Sequence, residues 1–235
     1  EGLAEYYAEA WRPMAAHVVG RPLSLVRCPD GAAAACFFQK HAWRGMNGAI
    51  RRVADPGQGS GGEVLWIDDF NGLVALVQSG CLEIHPWGAP LADLERPDRI
   101  VMDLDPDEAV AWPTMIEAAH EVRDRLQAEG LAAFLKTTGG KGLHVVAPLA
   151  PKAGWDEVKA FTRRLAEAMA ADAPDRFVAT AAKARRKGRI FVDWLRNGRG
   201  ATAVAPYSTR ARPGAPVSAP LAWEELTPAV GSAHF

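Results

Sequence analysis

The segment Arg99–Pro106 restricts the possible folds more than any other part of the chain. It begins with an apolar run that is typical of an interior β-strand, and it ends in two carboxylates, Asp103 and Asp105, separated by one residue. Side chains alternate across a strand, so both carboxylates lie on the same face. Two negative charges this close repel each other unless a proton or a cation lies between them. The segment therefore predicts a divalent metal site, although Asp-Pro-Asp is also typical of a polar turn.

Hydrophobic periodicity predicts that helices and strands are interspersed along the chain. Helices are expected at about 3–19, 70–78, 113–129 and 155–171. Strands are expected at about 24–27, 35–39, 63–67, 81–85, 99–105, 131–136, 143–147, 189–194 and 202–205, with a Gly-rich loop at 56–62. Several neighbouring strands are joined by turn sequences that favour hairpins. The pattern predicts an α+β fold with mixed or antiparallel sheets rather than a doubly wound parallel sheet.

Composition limits the class of protein. The 235 residues carry a net charge of −1 and are 49% hydrophobic, which is ordinary for a globular chain and gives no overall basic field. No apolar run approaches the ~20 residues of a membrane-spanning helix, and the N-terminus does not resemble a signal peptide. The three cysteines match no metal or redox spacing, so we expect reduced thiols in a cytoplasmic protein. The start at Glu1, inside a helical pattern, is what a fragment of a longer protein would show.

A Gly-rich turn separates two of the predicted strands and contains Thr138, Gly139 and Lys141, with His144 on the following strand. Glycines let backbone N–H groups approach an anion closely, and the lysine adds positive charge. The turn is therefore a candidate cradle for a triphosphate. It has neither the order of a Walker A motif nor that of the dinucleotide-binding fingerprint. A simple hairpin turn, with His144 as an ordinary core residue, remains the alternative.

A third carboxylate, Asp193, interrupts the apolar strand at 189–194. A buried carboxylate is costly unless it is paired or bound to a metal. Asp193 could complete a three-carboxylate site of the kind that serves phosphoryl transfer, or it could form a buried salt bridge with a nearby arginine. Many cationic residues flank Asp193 in the sequence, and such residues can bind phosphate groups. Most runs of charged residues, however, are simply exposed to solvent. The cationic residues are Lys183, Arg185, Arg186, Lys187, Arg189, Arg196, Arg199, Arg210 and Arg212.

A second, looser basic group lies in the first quarter of the chain. Cationic and aromatic residues that occur together can hold a nucleic-acid backbone and stack on bases. For Phe37 and Phe38, packing in the core is the simpler expectation. The cationic members are Arg27, Lys40, His41, Arg44, Arg51 and Arg52, with Trp43 among them.

Taken in order, these elements resemble the polymerase domain of bacterial ATP-dependent DNA ligase D, which belongs to the archaeo-eukaryotic primase superfamily. The resemblance is carried by the segments 21–31, 37–41, 82–87, 103–106, 138–144 and 191–197, and it continues through 201–203 and 210–214. It implies a primase-polymerase fold in which a sheet of RNA-recognition-motif type carries the three aspartates. That catalytic module would cover about 99–235 and would pack against an N-terminal α/β module at about 1–98.

The resemblance also implies a role for particular residues. Asp103, Asp105 and Asp193 would be catalytic and would hold divalent metal ions, manganese or magnesium. The nucleoside triphosphate would be bound by residues on both sides of a cleft, with His85 near the sugar and ribonucleotides preferred. The nucleotide-binding residues would be His85, Thr138, Gly139, Lys141, His144 and Arg210, where Thr138 replaces the usual serine. The DNA would be bound by Lys40, Arg186 and Lys187.

The implied biological role is gap filling and end processing during double-strand break repair by non-homologous end joining. The partners would be DNA ends or a primer–template, nucleoside triphosphates, the Ku protein and an ATP-dependent DNA ligase, in the bacterial cytoplasm at the nucleoid. Relatives usually begin with a further lysine-containing segment that grips a 5′-phosphate. The pattern in this sequence starts after that segment, so the resemblance leaves open whether a 5′-phosphate is recognised.

Three other functions fit parts of the pattern. A primase that starts chains de novo would use the same carboxylates, although the chain lacks the Cys/His zinc spacing common in primase subunits. A metal-dependent nuclease also suits three carboxylates, but it would leave the Gly-rich turn and Arg210 without a role. A non-catalytic module that binds DNA ends would have no reason to keep three buried acids together.

Overall fold

The computed structural model describes residues 2–58 and 62–235, and its helices and strands are interspersed along the chain. The helices are α1 (Gly2–Val18), α2 (Phe70–Gln78), α3 (Trp112–Ala128) and α4 (Trp155–Asp172). The first strands are β1 (Leu23–Arg27), β2 (Phe37–Gln39), β3 (Arg51–Ala54), β4 (Glu63–Trp66) and β5 (Cys81–Pro86). The later strands are β6 (Arg99–Pro106), β7 (Phe134–Thr137), β8 (Leu143–Pro148), β9 (Phe177–Val178), β10 (Ile190–Asp193) and β11 (Pro220–Leu221).

The first sheet is built around β1, which pairs with β5 along one edge and with β2 and β4 along the other, all antiparallel. Strand β3 continues the sheet beyond β4. Helices α1 and α2 cover it with apolar side chains, and Tyr7, Met14 and Leu76 are almost completely buried there. Tyr7 and Met14 are separated by about two turns of α1, so both side chains lie on the face of the helix that packs against the sheet.

The second sheet has the order β11-β7-β8-β6-β10-β9. Its central part follows the chain as strand, helix, two strands, helix and strand, with the first strand between the third and fourth. This is the split βαββαβ arrangement of RNA-recognition motifs, so the predicted α+β fold class is confirmed. Helices α3 and α4 cover one face, where Met102, Leu104 and Val145 are fully buried. The residues of β6 that alternate with Met102 and Leu104 therefore point to the opposite face of the sheet, which these helices do not cover.

Several boundaries differ from the sequence-based expectation. The strand expected at 202–205 is absent as a strand, because only Thr202 forms an isolated bridge, to Trp87. Strands β3, β9 and β11 were not expected, since β9 and β11 have two residues each and β3 contains two arginines. Residues 59–61 of the expected loop lie outside the described part of the chain. The division into modules at 98 and 99 remains a prediction, and Ala205 packs back into the first core.

The expectation of three reduced thiols is wrong for Cys28 and Cys36, which form a disulfide. The physical reason is the register of β1 and β2, in which Arg27 lies opposite Phe37. The flanking residues 28 and 36 are therefore brought face to face, with 4.4 Å between their Cα atoms. Cys81 is a free, fully buried thiol, and burial raises its pKa to about 12. No helix in the described ranges is both long and apolar enough to cross a membrane.

Candidate active site

The register of the second sheet aligns four titratable side chains in one row. Asp193 on β10 lies opposite Asp103 on β6, Asp103 lies opposite His144 on β8, and His144 lies opposite Lys136 on β7. Cross-strand partners point to the same face of a sheet, so all four face away from α3 and α4. Asp105 lies two residues beyond Asp103 and shares that face. The sheet thus brings together the three carboxylates that the sequence selected.

Arginines hold these carboxylates. The Nε atom of Arg196 lies 3.1 Å from Asp103 Oδ2 and 3.2 Å from Asp193 Oδ2. Asp105 Oδ2 accepts a 2.9 Å hydrogen bond from Arg186 Nη1. The salt bridge between Asp193 and a nearby arginine, one of the two alternatives for that residue, is therefore present. Among the residues that the structure describes, no three His, Cys, Asp or Glu side chains are arranged to share a metal ion.

The electrostatics of the three carboxylates nevertheless suit a further cation. Burial disfavours the charge on Asp103, but the His144 ring and the Arg196 guanidinium outweigh it and hold the pKa of Asp103 well below its usual range. Burial raises the pKa of Asp105 and of Asp193, and the negative charge of Asp103 raises both further. Mutual repulsion of this kind is relieved by a divalent ion with oxygen ligands. The donor set therefore fits the predicted metal site, which remains a prediction.

His144 is poised to accept a hydrogen bond. Its Nε2 atom lies 3.4 Å from Asp103 Oδ1, and its ring is almost completely buried. Burial, together with the charge of Lys136, lowers the pKa of His144 to about 4, so the ring is neutral at pH 7. The Nδ1 atom is buried with no hydrogen-bond partner among the described residues. A buried polar atom without a partner is rare and indicates a place where a ligand or water binds.

The Gly-rich turn joins β7 to β8 directly beside the row of acids. Thr138 Oγ1 donates to the Gly142 carbonyl at 3.0 Å and accepts from the Gly140 and Gly142 backbone N–H groups at 3.2 Å each. The Thr138 hydroxyl therefore stabilises the conformation of the turn. Gly139 has φ +62°, in the left-handed region that glycine favours. Lys141 forms a 2.9 Å ion pair with Glu108, and both side chains are exposed.

A cavity of about 240 Å³ lies over Asp103 and Asp105, and Asp193 is not among the residues that line it. His85 on β5 reaches it from one side, and Arg210 reaches it from the segment that follows β10. The Nη1 atom of Arg210 donates to the Thr138 carbonyl at 2.6 Å, which joins this segment to the turn. Of the residues that the sequence selected, the cavity is lined by His85, Asp103, Asp105, Thr138, Lys141, His144 and Arg210.

The remaining predicted residues lie elsewhere or have partners. Gly139 belongs to the turn but does not line the cavity, while Lys40 and Lys187 are exposed. Arg186, expected to face a template strand, lies 3.9 Å from the centre of the Phe191 ring and binds Asp105. The expectation that Phe37 and Phe38 are core residues is wrong, because they are 46% and 61% exposed. They lie on an edge strand, β2, and the Phe38 ring packs 5.5 Å from the His85 ring.

Sequence reasoning did not assign a role to three residues that line or support this site: Glu83, Lys136 and Arg196. Glu83 and His85 are two apart on one strand, so their shared face was a signal that could have been used. Lys136 interrupts the apolar strand β7 in the same way that Asp193 interrupts β10. Arg196 was counted only as one member of the basic run.

Lys136 is buried in the second sheet and lines a larger, mostly apolar cavity of about 510 Å³, which shares lining residues such as Arg196 and Val204 with the first cavity. Its Nζ atom donates to Ser218 Oγ at 2.7 Å. Burial lowers the pKa of Lys136 to about 7, against the opposing influence of Asp103. The folded chain therefore releases this proton near pH 7, whereas the unfolded chain keeps it to about pH 10.4.

We expect the contribution of Lys136 to the free energy of unfolding to depend on pH. Between pH 7 and about pH 10 the unfolded state binds more protons, so the free energy of unfolding contributed by Lys136 rises with pH. Lys136→Met lacks that contribution. The free energies of unfolding of the two proteins can be measured by urea unfolding at pH 6.5, 8 and 9.5. As the pH rises, the wild type should gain stability relative to Lys136→Met. Parallel profiles for the two proteins would show that Lys136 titrates normally.

Comparison with known proteins places these observations in a family. The family model described as LigD, primase-polymerase domain matches residues 1–235. The chain is 48% identical over 227 residues to the multifunctional non-homologous end joining protein LigD of Pseudomonas aeruginosa, covering 95% of this chain and 27% of that protein. It is 33% identical over 224 residues to the same-named protein of Mycolicibacterium smegmatis, covering 94% and 29%. The chain thus spans less than a third of the length of these relatives.

A solved structure is also similar. The polymerase domain from Mycobacterium tuberculosis ligase D in complex with DNA matches with a TM-score of 0.89 and 32% sequence identity. The match covers 97% of this chain and 82% of that one. The similarity extends across both sheets, since nearly all of the chain is included.

Proposed function

The chain belongs to the LigD primase-polymerase domain family, and from this we propose that it is a template-directed nucleotidyltransferase that extends a DNA or RNA primer. The observation that carries the proposal is the position of Asp103, Asp105 and Asp193 on one sheet face, beside a turn that contains Lys141. Carboxylates that can bind metal, next to cations that can bind phosphate, are what a nucleotidyl transfer needs.

In this proposal Asp103, Asp105 and Asp193 hold divalent metal ions, manganese or magnesium. The bound ions would supply Lewis-acid activation of the primer 3′-hydroxyl and neutralise charge on the departing pyrophosphate. Two guanidinium groups, of Arg186 and Arg196, neutralise the same carboxylates in the structure described here. They would give up these contacts when the metal ions bind, which leaves them free to pair with phosphate.

The rest of the cavity would bind the nucleoside triphosphate. Lys141 and Arg210 supply positive charge near the Gly-rich turn, where backbone N–H groups add hydrogen bonds to the phosphates. His85 and the Phe38 ring packed on it lie on the opposite side and would contact the sugar and the base. His144, with its free Nδ1 acceptor, would accept a hydrogen bond from a ligand hydroxyl or a bound water. Ribonucleotides are the proposed preference.

The DNA would be bound by the exposed cations around the cavity, Lys40, Lys187 and the displaced Arg186. The M. tuberculosis polymerase domain was solved in complex with DNA, which supports DNA as the partner here. The relatives are named as non-homologous end joining proteins, and we propose gap filling and end processing during double-strand break repair as the role of this chain. Ku and an ATP-dependent DNA ligase are proposed partners at the bacterial nucleoid.

The test is extension of a labelled primer annealed to a template with a short gap, with four ribonucleotides and manganese. We expect template-matched extension by the wild type and a loss of at least about 100-fold in Asp105→Ala. Asp124→Ala is the matched control, because Asp124 lies exposed on α3, on the other face of the sheet. Extension without a primer would identify a de novo primase.

Other results would contradict the proposal. Shortening of the primer, lost in Asp105→Ala, would identify a nuclease. Binding of DNA ends by both proteins, without extension by either, would identify a non-catalytic module. Equal extension by the wild type and Asp105→Ala would separate the activity from this carboxylate and contradict the proposed site.

A further inference from the structure

One buried carboxylate, Glu83, contacts a residue on each side of the proposed nucleotide site. Its Oε2 atom lies 2.7 Å from His85 Nε2 and 3.1 Å from Arg210 Nε. Its Oε1 atom accepts a 2.9 Å hydrogen bond from the backbone N–H of Ala211. The side chain is only 8% exposed and does not line the cavity itself. Glu83 therefore cannot act on a ligand in the cavity except through the residues that it holds.

The partner Arg210 belongs to a segment that runs beside β5. Ser208 Oγ accepts a 2.9 Å hydrogen bond from the Ile84 N–H, and Thr209 Oγ1 donates to the Leu82 carbonyl at 2.6 Å. The segment then reaches the second sheet, where Arg210 donates to the Thr138 carbonyl. Glu83, Arg210 and Thr138 thus form one continuous connection from the first sheet to the Gly-rich turn.

The contact with His85 also determines which ring nitrogen carries the proton. The hydrogen bond to His85, the charge of Arg210 and the Ala211 N–H outweigh burial and lower the pKa of Glu83 to about 2, so the group is ionised at neutral pH. An ionised carboxylate can only accept, so His85 Nε2 must carry the hydrogen. In the neutral ring the Nδ1 atom is then an acceptor, suited to a hydroxyl donor such as that of a sugar.

We propose that Glu83 is a positioning residue of the nucleotide site, which fixes the tautomer of His85 and the place of Arg210 so that both groups meet the same nucleoside triphosphate. The inference rests on the proposed function, because it assigns His85 and Arg210 to one substrate. Beyond that function, the inference states that the alignment of His85 and Arg210 depends on Glu83, which does not contact the substrate. A buried acid that holds two binding groups from different parts of the chain is suited to this task.

The test is Glu83→Gln, which keeps the size of the side chain and one carbonyl acceptor for Ala211. The amide N–H₂ group cannot accept from His85 and gives no charge to Arg210. We expect the KM for ribonucleoside triphosphate in primer extension to rise about tenfold or more, while kcat changes less than about threefold, because ground-state alignment is lost. Glu63→Gln, on β4 and paired with Arg52, is the matched control and should leave both constants unchanged.

A double-mutant cycle separates positioning from general stability. If Glu83 acts partly through Arg210, the rise in KM caused by Glu83→Gln should be smaller in the Arg210→Ala background than in the wild type. Additive effects would overturn the proposal, as would an unchanged KM in Glu83→Gln. If Glu83→Gln lowers the Tm by more than about 5 °C, Glu83→Asp replaces it. It retains the charge, and its KM should lie between wild type and Arg210→Ala.

A measurement without catalysis keeps this inference distinct from the proposed function. In ¹⁵N-labelled protein, the His85 ring should show the Nε2–H tautomer in the wild type and lose that preference in Glu83→Gln. A wild type that fails to extend any primer would contradict the proposed function, and the tautomer would still report on Glu83. Identical tautomers in both proteins would overturn the role of Glu83.

Discussion

Asp103→Asn should abolish primer extension more completely than any other conservative substitution in the chain. Asp103 lies at the centre of the row, opposite Asp193 on one side and His144 on the other, and its buried carboxylate lies 3.1 Å from Arg196 Nε. The amide cannot supply the negative charge that a divalent ion needs. We expect a loss of about 10³-fold or more in the rate of extension, which corresponds to ~4 kcal/mol in the barrier.

Two further measurements make this expectation specific. Manganese binding, followed by electron paramagnetic resonance of the free ion, should weaken in Asp103→Asn and stay unchanged in the control Asp124→Asn. The fold should persist, which circular dichroism can verify. Because the pKa of Asp103 is held below its unfolded value, its contribution to stability is present above about pH 4 and is lost as pH falls further. Asp103→Asn that kept a tenth of the wild-type rate would exclude Asp103 as a metal ligand.

The central strands of the second sheet were predictable because their signals are local. In β6 the apolar residues Met102 and Leu104 alternate with Asp103 and Asp105, and the structure places the first pair in the core and the second on the open face. Period-two alternation decides the face of a strand directly. The sequence could therefore predict which of these residues share one face of the sheet, and the family resemblance implied a sheet of RNA-recognition-motif type that carries the three aspartates.

What was missed depends on contacts between distant parts of the chain. The disulfide follows from the register of β1 and β2, which no spacing rule indicates. The exposure of Phe38 follows from its place on an edge strand, since the same residue on a central strand would be buried. The link from Glu83 on β5 to Arg210 joins residues 127 positions apart in the sequence, so periodicity could not reveal it.

The pairing of arginines with the acids has a similar explanation. Asp193 and Arg196 are three residues apart, and the short turn after β10 brings the guanidinium back over the carboxylates. The sequence indicated both a metal site and a salt bridge at Asp193 as alternatives. The structure shows the salt bridge, and the metal site stays a prediction, in which a metal ion would take the place of the arginine at the same carboxylates.

Gly142→Ala is the second substitution for which we expect a large effect. Gly142 immediately precedes β8. A Cβ atom at this position would lie 2.1 Å from the backbone carbonyl oxygen of Leu104. That oxygen belongs to β6, between Asp103 and Asp105, and a strand in the middle of a sheet cannot move aside without breaking its ladder. Overpacking against a rigid backbone typically costs 1–3 kcal/mol or more, so we expect a loss of ~3 kcal/mol in the free energy of unfolding.

The same displacement should reach the chemistry. If the Leu104 carbonyl moves away from the added methyl group, the two carboxylates that flank it change their separation, and extension should fall by at least about 10-fold even where the protein remains folded. Gly48→Ala is the matched control, because a Cβ atom at Gly48 meets nothing within 4 Å. Urea unfolding and primer extension on both variants provide the check. A Gly142→Ala protein with wild-type stability would show that β6 and β8 can separate here, and the carboxylates would then be held by something other than the rigidity of this sheet.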